Sequence, residues 1–99
     1  MKTIKVGNNF IGDKFPTFII AEIGINHGGS ENYCLKLVNE AIKSKVNAIK
    51  LQTINAGESY VKNTKSFNEF KNKNLDIKFI KKLITICKKK KYNFIFNTR

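Results

Sequence analysis

The chain has 99 residues and a formal net charge of +12, with 19 lysine and arginine residues against seven aspartates and glutamates. This length allows one small domain. Hydrophobic residues make up 41% of the chain, an ordinary fraction for a globular protein, and no uncharged apolar run is long enough to cross a bilayer. Because the N-terminus also has no apolar signal-peptide core, we expect a cytoplasmic protein without a membrane partner.

The positive charge comes almost entirely from lysine, since Arg99 is the one arginine. Surfaces that recognise specific nucleic acids usually include arginine for bidentate contacts. The densest basic run, residues 88–91, is expected to close a helix, where cations favour the negative end of the dipole. We therefore predict a solvated helix end and no nucleic-acid partner, with nonspecific anion binding as the alternative.

Residues 1–15 predict a small β-hairpin. Apolar and polar residues alternate at 4–6, a turn is expected at 7–9, and a second short strand follows at 10–11. Because an isolated hairpin is marginally stable in water, we expect it to cover apolar surface of the main body.

Residues 18–52 predict a strand, a Gly-rich turn, a helix and a second strand. The apolar run at 18–23 is interrupted only by Glu22, residues 26–30 break the pattern, and a short run follows at 48–52. Two buried strands joined by a helix form a right-handed βαβ unit.

Two amphipathic helices are predicted. Ser30 and Asp76 are suitable N-caps, and Lys45 or a neighbour is expected to be left-handed because the first helix lacks a Gly after its end. Residues 92–97 predict a third strand, whereas 53–74 is polar, has no clear period and is expected to form a functional or mobile connection. The apolar stripes contain Cys34, Leu37, Val38, Ala41 and Ile42 in the first helix and Ile80, Leu83, Ile84 and Cys87 in the second.

The two cysteines lie on these stripes, which favours buried core thiols over a disulfide or a metal site. No residues have the spacing of metal ligands, since the chain has a single histidine and its cysteines are far apart.

Polar side chains collect near the carboxyl ends of the predicted strands. By strand alternation Glu22, Lys50 and Gln52 fall on one face, and ligands bind at this end of α/β sheets. Lys50 offers a point charge for a phosphate, and a Glu beside a Lys can be tuned for proton transfer. A purely structural Glu22–Lys50 ion pair is an equally good interpretation. Thr98 is expected to extend this polar rim and add a hydroxyl donor.

Two further residues have open roles. His27 either hydrogen-bonds the Gly28-Gly29 turn or contacts a ligand, and the residues alone favour neither. Gln52 either contacts a ligand or satisfies a hydrogen bond within the sheet.

Two motifs together resemble the sialic acid synthase family. They are Ala21-Glu22-Ile23-Gly24-Ile25-Asn26-His27-Gly28-Gly29 and Ala48-Ile49-Lys50-Leu51-Gln52-Thr53. The family includes N-acetylneuraminate, legionaminate and pseudaminate synthases and related spore-coat polysaccharide proteins. The predicted hairpin resembles the family's usual opening, so the similarity covers nearly the whole chain.

The resemblance implies an α/β fold, the N-terminal part of a (β/α)₈ TIM barrel. Such a barrel needs about 250 residues. We therefore expect a hairpin in 1–15 and, in 16–99, the first third of the barrel, with about three strands and two helices.

The resemblance also implies an enzyme that condenses phosphoenolpyruvate with an N-acetylated sugar, such as N-acetylmannosamine, and releases phosphate. A divalent metal, Mn²⁺ or Mg²⁺, is expected in the full-length protein, with ligands outside this chain, and the full-length protein is expected to be a homodimer. The chain alone is expected to be inactive, and the acceptor sugar is open.

Roles for individual residues follow from the same resemblance. Glu22 matches an active-site Glu, Lys50 matches the Lys that binds the phosphate or carboxylate of phosphoenolpyruvate, and Thr98 matches a phosphate contact. Asn26, His27 and Gln52 lie in the matching motifs and are expected to bind substrate. The chain departs from the family pattern at Gly28, where Asn is frequent, at Lys45, where Gly is usual, and at 97–99, which replaces Ser-Thr-Pro.

Two alternatives remain open from the sequence. A related barrel aldolase could use Lys50 for anion binding or as an amine nucleophile. The chain could also be a noncatalytic basic module that binds anions.

Overall fold

The structure is a computed structural model that describes residues 2–53, 61–71 and 73–98, without the side chains of residues 70, 97 and 98. The elements in chain order are β1 (Ile4–Val6), β2 (Asn9–Ile11), β3 (Ile20–Gly24), α1 (Glu31–Lys43), β4 (Ala48–Thr53), α2 (Lys65–Phe70), α3 (Ile77–Lys89) and β5 (Asn93–Thr98). This is an α/β arrangement, as predicted.

The centre of the fold is a parallel sheet in the order β3-β4-β5. Ala48 in β4 pairs with Ile20 in β3 on one side and with Asn93 in β5 on the other. The helices α1 and α3 each lie between two neighbouring strands in the sequence. The two predicted strand–helix–strand crossovers are therefore confirmed, and they form the first part of a barrel-like topology.

One face of the sheet is covered by the two helices. Ile49 and Leu51 of β4 are fully buried there. They pack with the predicted helical stripes and with Phe79, which the predicted stripe omitted; the buried cluster from the helices is Cys34, Val38, Ala41, Phe79, Ile80, Leu83 and Cys87. The two halves of the chain thus share one hydrophobic core.

Both cysteines are free thiols in this core. Burial raises the pKa of the Cys34 thiol to about 11 and also raises that of Cys87. The predicted role as core residues is confirmed, because thiols in these environments stay neutral and apolar.

The opposite face of the sheet is buried at its amino end, where Ala48 is fully buried and the hairpin contacts Asn93, but it is partly exposed elsewhere. Ile20 in β3 is 45% exposed and Ile95 in β5 is 38% exposed, and Glu22 and Lys50 lie on the same face. The predicted division of β3 and β4 into an apolar and a polar face is confirmed.

The hairpin β1–β2 is antiparallel, with Val6 opposite Asn9. The turn is Gly7-Asn8, one residue shorter than predicted, and Gly7 has a φ of 57°, which suits the first position of a two-residue hairpin turn. The Asn93 side chain donates to Asn9 Oδ1 at 3.0 Å, which joins the hairpin to the start of β5. This contact is polar, and the predicted apolar cover stays a prediction.

The strand boundaries differ from the predicted ones by up to two residues. The strand β3 begins at Ile20, and the N–H of the preceding Ile19 donates to Asn47 Oδ1 at 2.7 Å. The strand β5 begins at Asn93 because the Tyr92 N–H donates to Cys87 O at 2.7 Å and closes α3.

Both predicted N-caps are confirmed. Ser30 Oγ accepts from Tyr33 N at 3.2 Å, and Asp76 Oδ1 accepts from Lys78 N at 2.9 Å. Lys45 is left-handed with a φ of 58°, as expected from the missing glycine.

The polar connection contains a short helix that the sequence pattern did not predict. The helix α2 spans Lys65–Phe70, and Thr64 caps it by accepting from Phe67 N at 3.2 Å. Its six residues are too few to show a periodic apolar stripe. Residues 54–60 and 72 of the predicted connection lie outside the described residues. Across the described part of the chain, no helix has the length and apolar character needed to cross a membrane.

Candidate functional site at the carboxyl ends of β3 and β4

Glu22 and Lys50 are neighbours across the sheet. They are Cα partners in the register, and Lys50 Nζ lies 3.4 Å from Glu22 Oε2. The Lys50 side chain is 34% exposed and the Glu22 side chain is 52% exposed. The ion pair allowed by the sequence is therefore present, but pairs this exposed are worth only about 0–1 kcal/mol. A competing anion could displace the carboxylate from the ammonium group at little cost.

A bulge in β3 follows directly after Glu22. The register shifts between Glu22 and Gly24, and Gly24 pairs with Leu51. Gly24 has a φ of 58°, and a Cβ at this position would lie 3.5 Å from Gln52 Oε1 and 3.6 Å from Glu22 Oε1. Gly24 therefore allows β3 to bend away from β4 after Glu22. The side-chain oxygens of Glu22 and Gln52 both lie close to the Gly24 backbone.

The loop after β3 is a series of tight turns. The backbone N–H groups of Asn26, Gly28 and Ser30 donate three residues back at 3.1, 3.0 and 3.0 Å, respectively. The Asn26 side chain donates from Nδ2 to Ile23 O at 2.8 Å. The amide that was predicted to bind substrate therefore holds this loop in the structure, and substrate contact by Asn26 stays a prediction.

His27 is buried within the loop, with only 1% of its surface exposed. Its Nδ1 accepts from Gly29 N at 2.9 Å, and its Nε2 lies 2.6 Å from Gln52 O at the end of β4. Of the two roles left open for His27, the hydrogen bond to the glycine turn is present, and contact with substrate stays a prediction. Because both ring nitrogens have protein partners, a direct role in binding substrate would require one of these bonds to break.

Gly28 is also left-handed, with a φ of 62°, and no atom lies within 4 Å of the place its Cβ would occupy. Asparagine is among the few other residues that tolerate this conformation. The departure from the family's Asn at this position therefore preserves the backbone and leaves open space beside the loop.

Thr98 is the last residue of β5. In the register Thr98 pairs with Thr53, while Gln52 pairs with Asn97. Phe94 and Phe96 pair with Ile49 and Leu51, the buried face, and Thr98 continues that row. The backbone register therefore places Thr98 beside Thr53 at the end of β4, and its predicted place on the polar rim and its contact with phosphate stay predictions.

Thr53 has a structural role that the sequence pattern did not reveal. Its Oγ1 accepts from Leu75 N at 3.0 Å and lies 3.4 Å from Asn74 Oδ1. This contact anchors the segment before α3 to the end of β4. The sequence analysis assigned Thr53 to the connection after β4. The alternation of the buried residues Ile49 and Leu51 could have indicated that Thr53 continues the strand.

The described residues do not form a metal site. Within residues 2–53, 61–71 and 73–98 no group of three or more His, Cys, Asp or Glu side chains could hold an ion. The ring nitrogens of His27 are occupied by protein partners. The divalent metal implied by the resemblance, with ligands expected outside this chain, stays a prediction.

Solved structures show where this arrangement occurs in other proteins. N-acetylneuraminic acid synthetase of Leptospira borgpetersenii, solved in complex with citrate, is similar with a TM-score of 0.85 and 37% identity. That match covers 98% of this chain and 34% of the Leptospira chain. The spore coat polysaccharide biosynthesis protein SpsE of Bacillus subtilis matches with a TM-score of 0.73 and 28% identity, over 96% of this chain and 27% of the SpsE chain.

Curated sequences give a consistent result. SpsE is 27% identical over 106 residues, and an uncharacterised protein of Methanocaldococcus jannaschii is 39% identical over 71 residues. The matches cover 28% and 21% of these relatives, respectively, so the chain spans less than a third of their length. No family model matches the chain. The structural neighbours confirm the resemblance to the sialic acid synthase family and the partial-barrel fold.

Proposed function

We propose that this chain is the N-terminal part of a phosphoenolpyruvate-dependent synthase that makes a sialic-acid-type sugar. The observation that carries the proposal is the partly exposed Glu22–Lys50 pair, placed toward the carboxyl ends of adjacent parallel strands. This is the edge at which barrel enzymes bind their substrates. The similarity to a Leptospira N-acetylneuraminic acid synthetase supports the same assignment.

Lys50 is proposed to bind an anionic group of phosphoenolpyruvate. Its ammonium group is a compact positive charge with three donors, which suits a phosphate or carboxylate oxygen. The partner in the structure is a carboxylate at 3.4 Å, itself an anion of the same kind. The Leptospira relative was solved in complex with citrate, a carboxylate anion.

Glu22 is proposed to orient the substrate or move a proton once Lys50 binds the substrate anion. Bound phosphoenolpyruvate would compete with Glu22 for the ammonium group and release the carboxylate toward the second substrate. A carboxylate positioned beside a reacting group can act as a general base. Gln52, whose Oε1 lies near the same bulge as Glu22 Oε1, is proposed to add a polar contact to the substrate.

The second substrate is proposed to be an N-acetylated sugar, and the products a sialic-acid-type sugar and phosphate. The metal that the resemblance implies, and the homodimer, would involve parts of the full-length protein outside the described residues. These parts would also determine which sugar is accepted.

Turnover by the protein expressed from its complete native gene tests this function. With phosphoenolpyruvate, N-acetylmannosamine and manganese, we expect release of phosphate and formation of a sialic-acid-type sugar. Lys50→Ala is expected to abolish most of the activity, whereas Lys43→Ala, which removes a lysine paired with Glu40 at the same 3.4 Å, is expected to retain it. Equal activity in both variants, or no turnover by the unmodified protein, would contradict the proposal.

The 99-residue chain alone is expected to release no phosphate above background. It contains the proposed anion-binding lysine but spans 34% of the length of the Leptospira relative. Turnover by the chain that is lost in Lys50→Ala would overturn the expectation that the rest of a barrel is required.

A further inference from the structure

The structure contains a residue whose hydrogen bonds join the two strand ends of the proposed site. His27 follows β3 in sequence, and its Nε2 reaches Gln52 O at the end of β4. The backbone pairing between these strands ends at Gly24 and Leu51, one residue before Gln52. The imidazole therefore binds the next carbonyl at the point where β3 has turned away through its bulge.

The two partners of the ring fix its protonation state. A backbone N–H can only donate, so Gly29 N requires an unprotonated Nδ1 at 2.9 Å. A backbone carbonyl can only accept, so Gln52 O requires a proton on Nε2 at 2.6 Å. Only the neutral Nε2–H tautomer satisfies both bonds, and the ring is 1% exposed, so water cannot readily replace either partner.

We propose that His27 is a positioning residue, which as the neutral Nε2–H tautomer locks the loop after β3 to the end of β4. This inference rests on the proposed function only in that the locked strand ends carry Glu22, Lys50 and Gln52. The carbonyl that His27 holds belongs to Gln52, whose side-chain oxygen lies beside the bulge with Glu22 Oε1. The two hydrogen bonds of His27 therefore help to set the positions of the Glu22 and Gln52 side chains relative to Lys50.

The tautomer is measured directly by long-range ¹H–¹⁵N correlation on the unmodified chain. His27 is the one histidine in the sequence, so its ring signals need no assignment by mutation. We expect a single neutral form with the proton on Nε2. A proton on Nδ1, or rapid averaging between the two tautomers, would overturn the inference without any variant having to fold.

Two conservative variants of His27 test its bond to Gly29 N and its bond to Gln52 O one at a time. His27→Asn keeps an acceptor near the Nδ1 position, whereas His27→Gln places a donor near the Nε2 position. We expect exchange of the Gly29 amide hydrogen to rise by about tenfold or more in His27→Gln and to change little in His27→Asn. The Gln52 carbonyl ¹³C signal is expected to move in His27→Asn and to stay in place in His27→Gln.

A remote turn provides the control, because the Phe15 amide donates to Gly12 O and should exchange at the same rate in all three proteins. Variants that leave both the Gly29 and the Gln52 signals unchanged would contradict the positioning role. Failure of the proposed function is distinguishable, since a Lys50→Ala variant with full synthase activity would leave these spectroscopic results intact.

Discussion

Lys45 and Lys91 both adopt left-handed backbones directly after a helix. Their φ angles are 58° and 56°. After α3 the N–H groups of Lys91 and Tyr92 donate to Lys88 O and Cys87 O, the pattern in which glycine is preferred at the left-handed position. Left-handed backbone costs a residue with a Cβ about 1–2 kcal/mol. Each lysine therefore stores local strain.

Replacement of these lysines by glycine is expected to stabilise the chain. Lys45→Gly and Lys91→Gly should each raise the free energy of unfolding by about 0.5–1 kcal/mol, because glycine relieves the strain but is more flexible when unfolded. Urea denaturation measures this change.

Lys81→Gly is the matched control, since Lys81 is exposed inside α3 and should lose about 1 kcal/mol as glycine. Similar losses in all three variants would show that the left-handed positions are not strained.

The sequence predicted some single residues and missed others for a physical reason. Lys45 was predictable because the absence of glycine after a helix is a local feature. Lys91 was missed because residues 88–91 were interpreted only as a cationic helix end. The bond from His27 to Gln52 joins residues 25 positions apart, so no local pattern could indicate it.

The amino ends of the strands are held by a group of asparagines. The Asn93 side chain donates both to Asn9 Oδ1 in the hairpin and to Asn47 O, each at 3.0 Å. Asn47 Oδ1 in turn accepts from Ile19 N. Asn93 Oδ1 lies so close to Gly7 that a Cβ there would be only 2.3 Å away. The hairpin is thus attached to the sheet at the end opposite to Glu22 and Lys50.

Asn93→Ala is expected to loosen the hairpin selectively. Loss of two hydrogen bonds should lower the free energy of unfolding by about 1–3 kcal/mol, and the amides of β1 and β2 should exchange faster than those of β4. Hydrogen exchange followed by NMR measures both effects. Asn32→Ala, at an exposed position on α1, should leave the relative exchange of β1, β2 and β4 unchanged. Uniform faster exchange across the sheet would contradict this attachment.

Hydrophobic periodicity was sufficient to predict α1, α3 and the two strand–helix–strand crossovers. It was not sufficient to predict how β5 pairs with β4. The sequence placed Thr98 on a polar rim at the strand ends, without a register between β5 and its neighbour. Phe94 and Phe96 in the same row are apolar and belong with the helix-facing core, which the register confirms. Alternation alone shows which residues share a face within a strand, and the register is needed to match faces between strands.

The whole chain is a sheet with helices on one face only. The opposite face exposes Ile20 and Ile95 beside the Glu22–Lys50 pair. In a complete barrel this face lines the interior, and the chain matches 34% of the Leptospira relative. The resemblance, more than composition or charge, predicted this arrangement, since the net charge of +12 alone would also have suited a basic binding module.

Titration of the 99-residue chain with phosphoenolpyruvate at physiological ionic strength tests the central claim most directly. That claim is that the Glu22–Lys50 pair is an anion site, and NMR signals near the pair should report saturable binding. Lys50→Ala should weaken binding by about tenfold or more, while Glu22→Gln should strengthen it by removing the competing carboxylate. Lys43→Ala and Glu40→Gln, in the exposed pair on α1, should have no effect. If both lysine variants weaken binding equally, the chain attracts anions only through its net charge, and the account is contradicted.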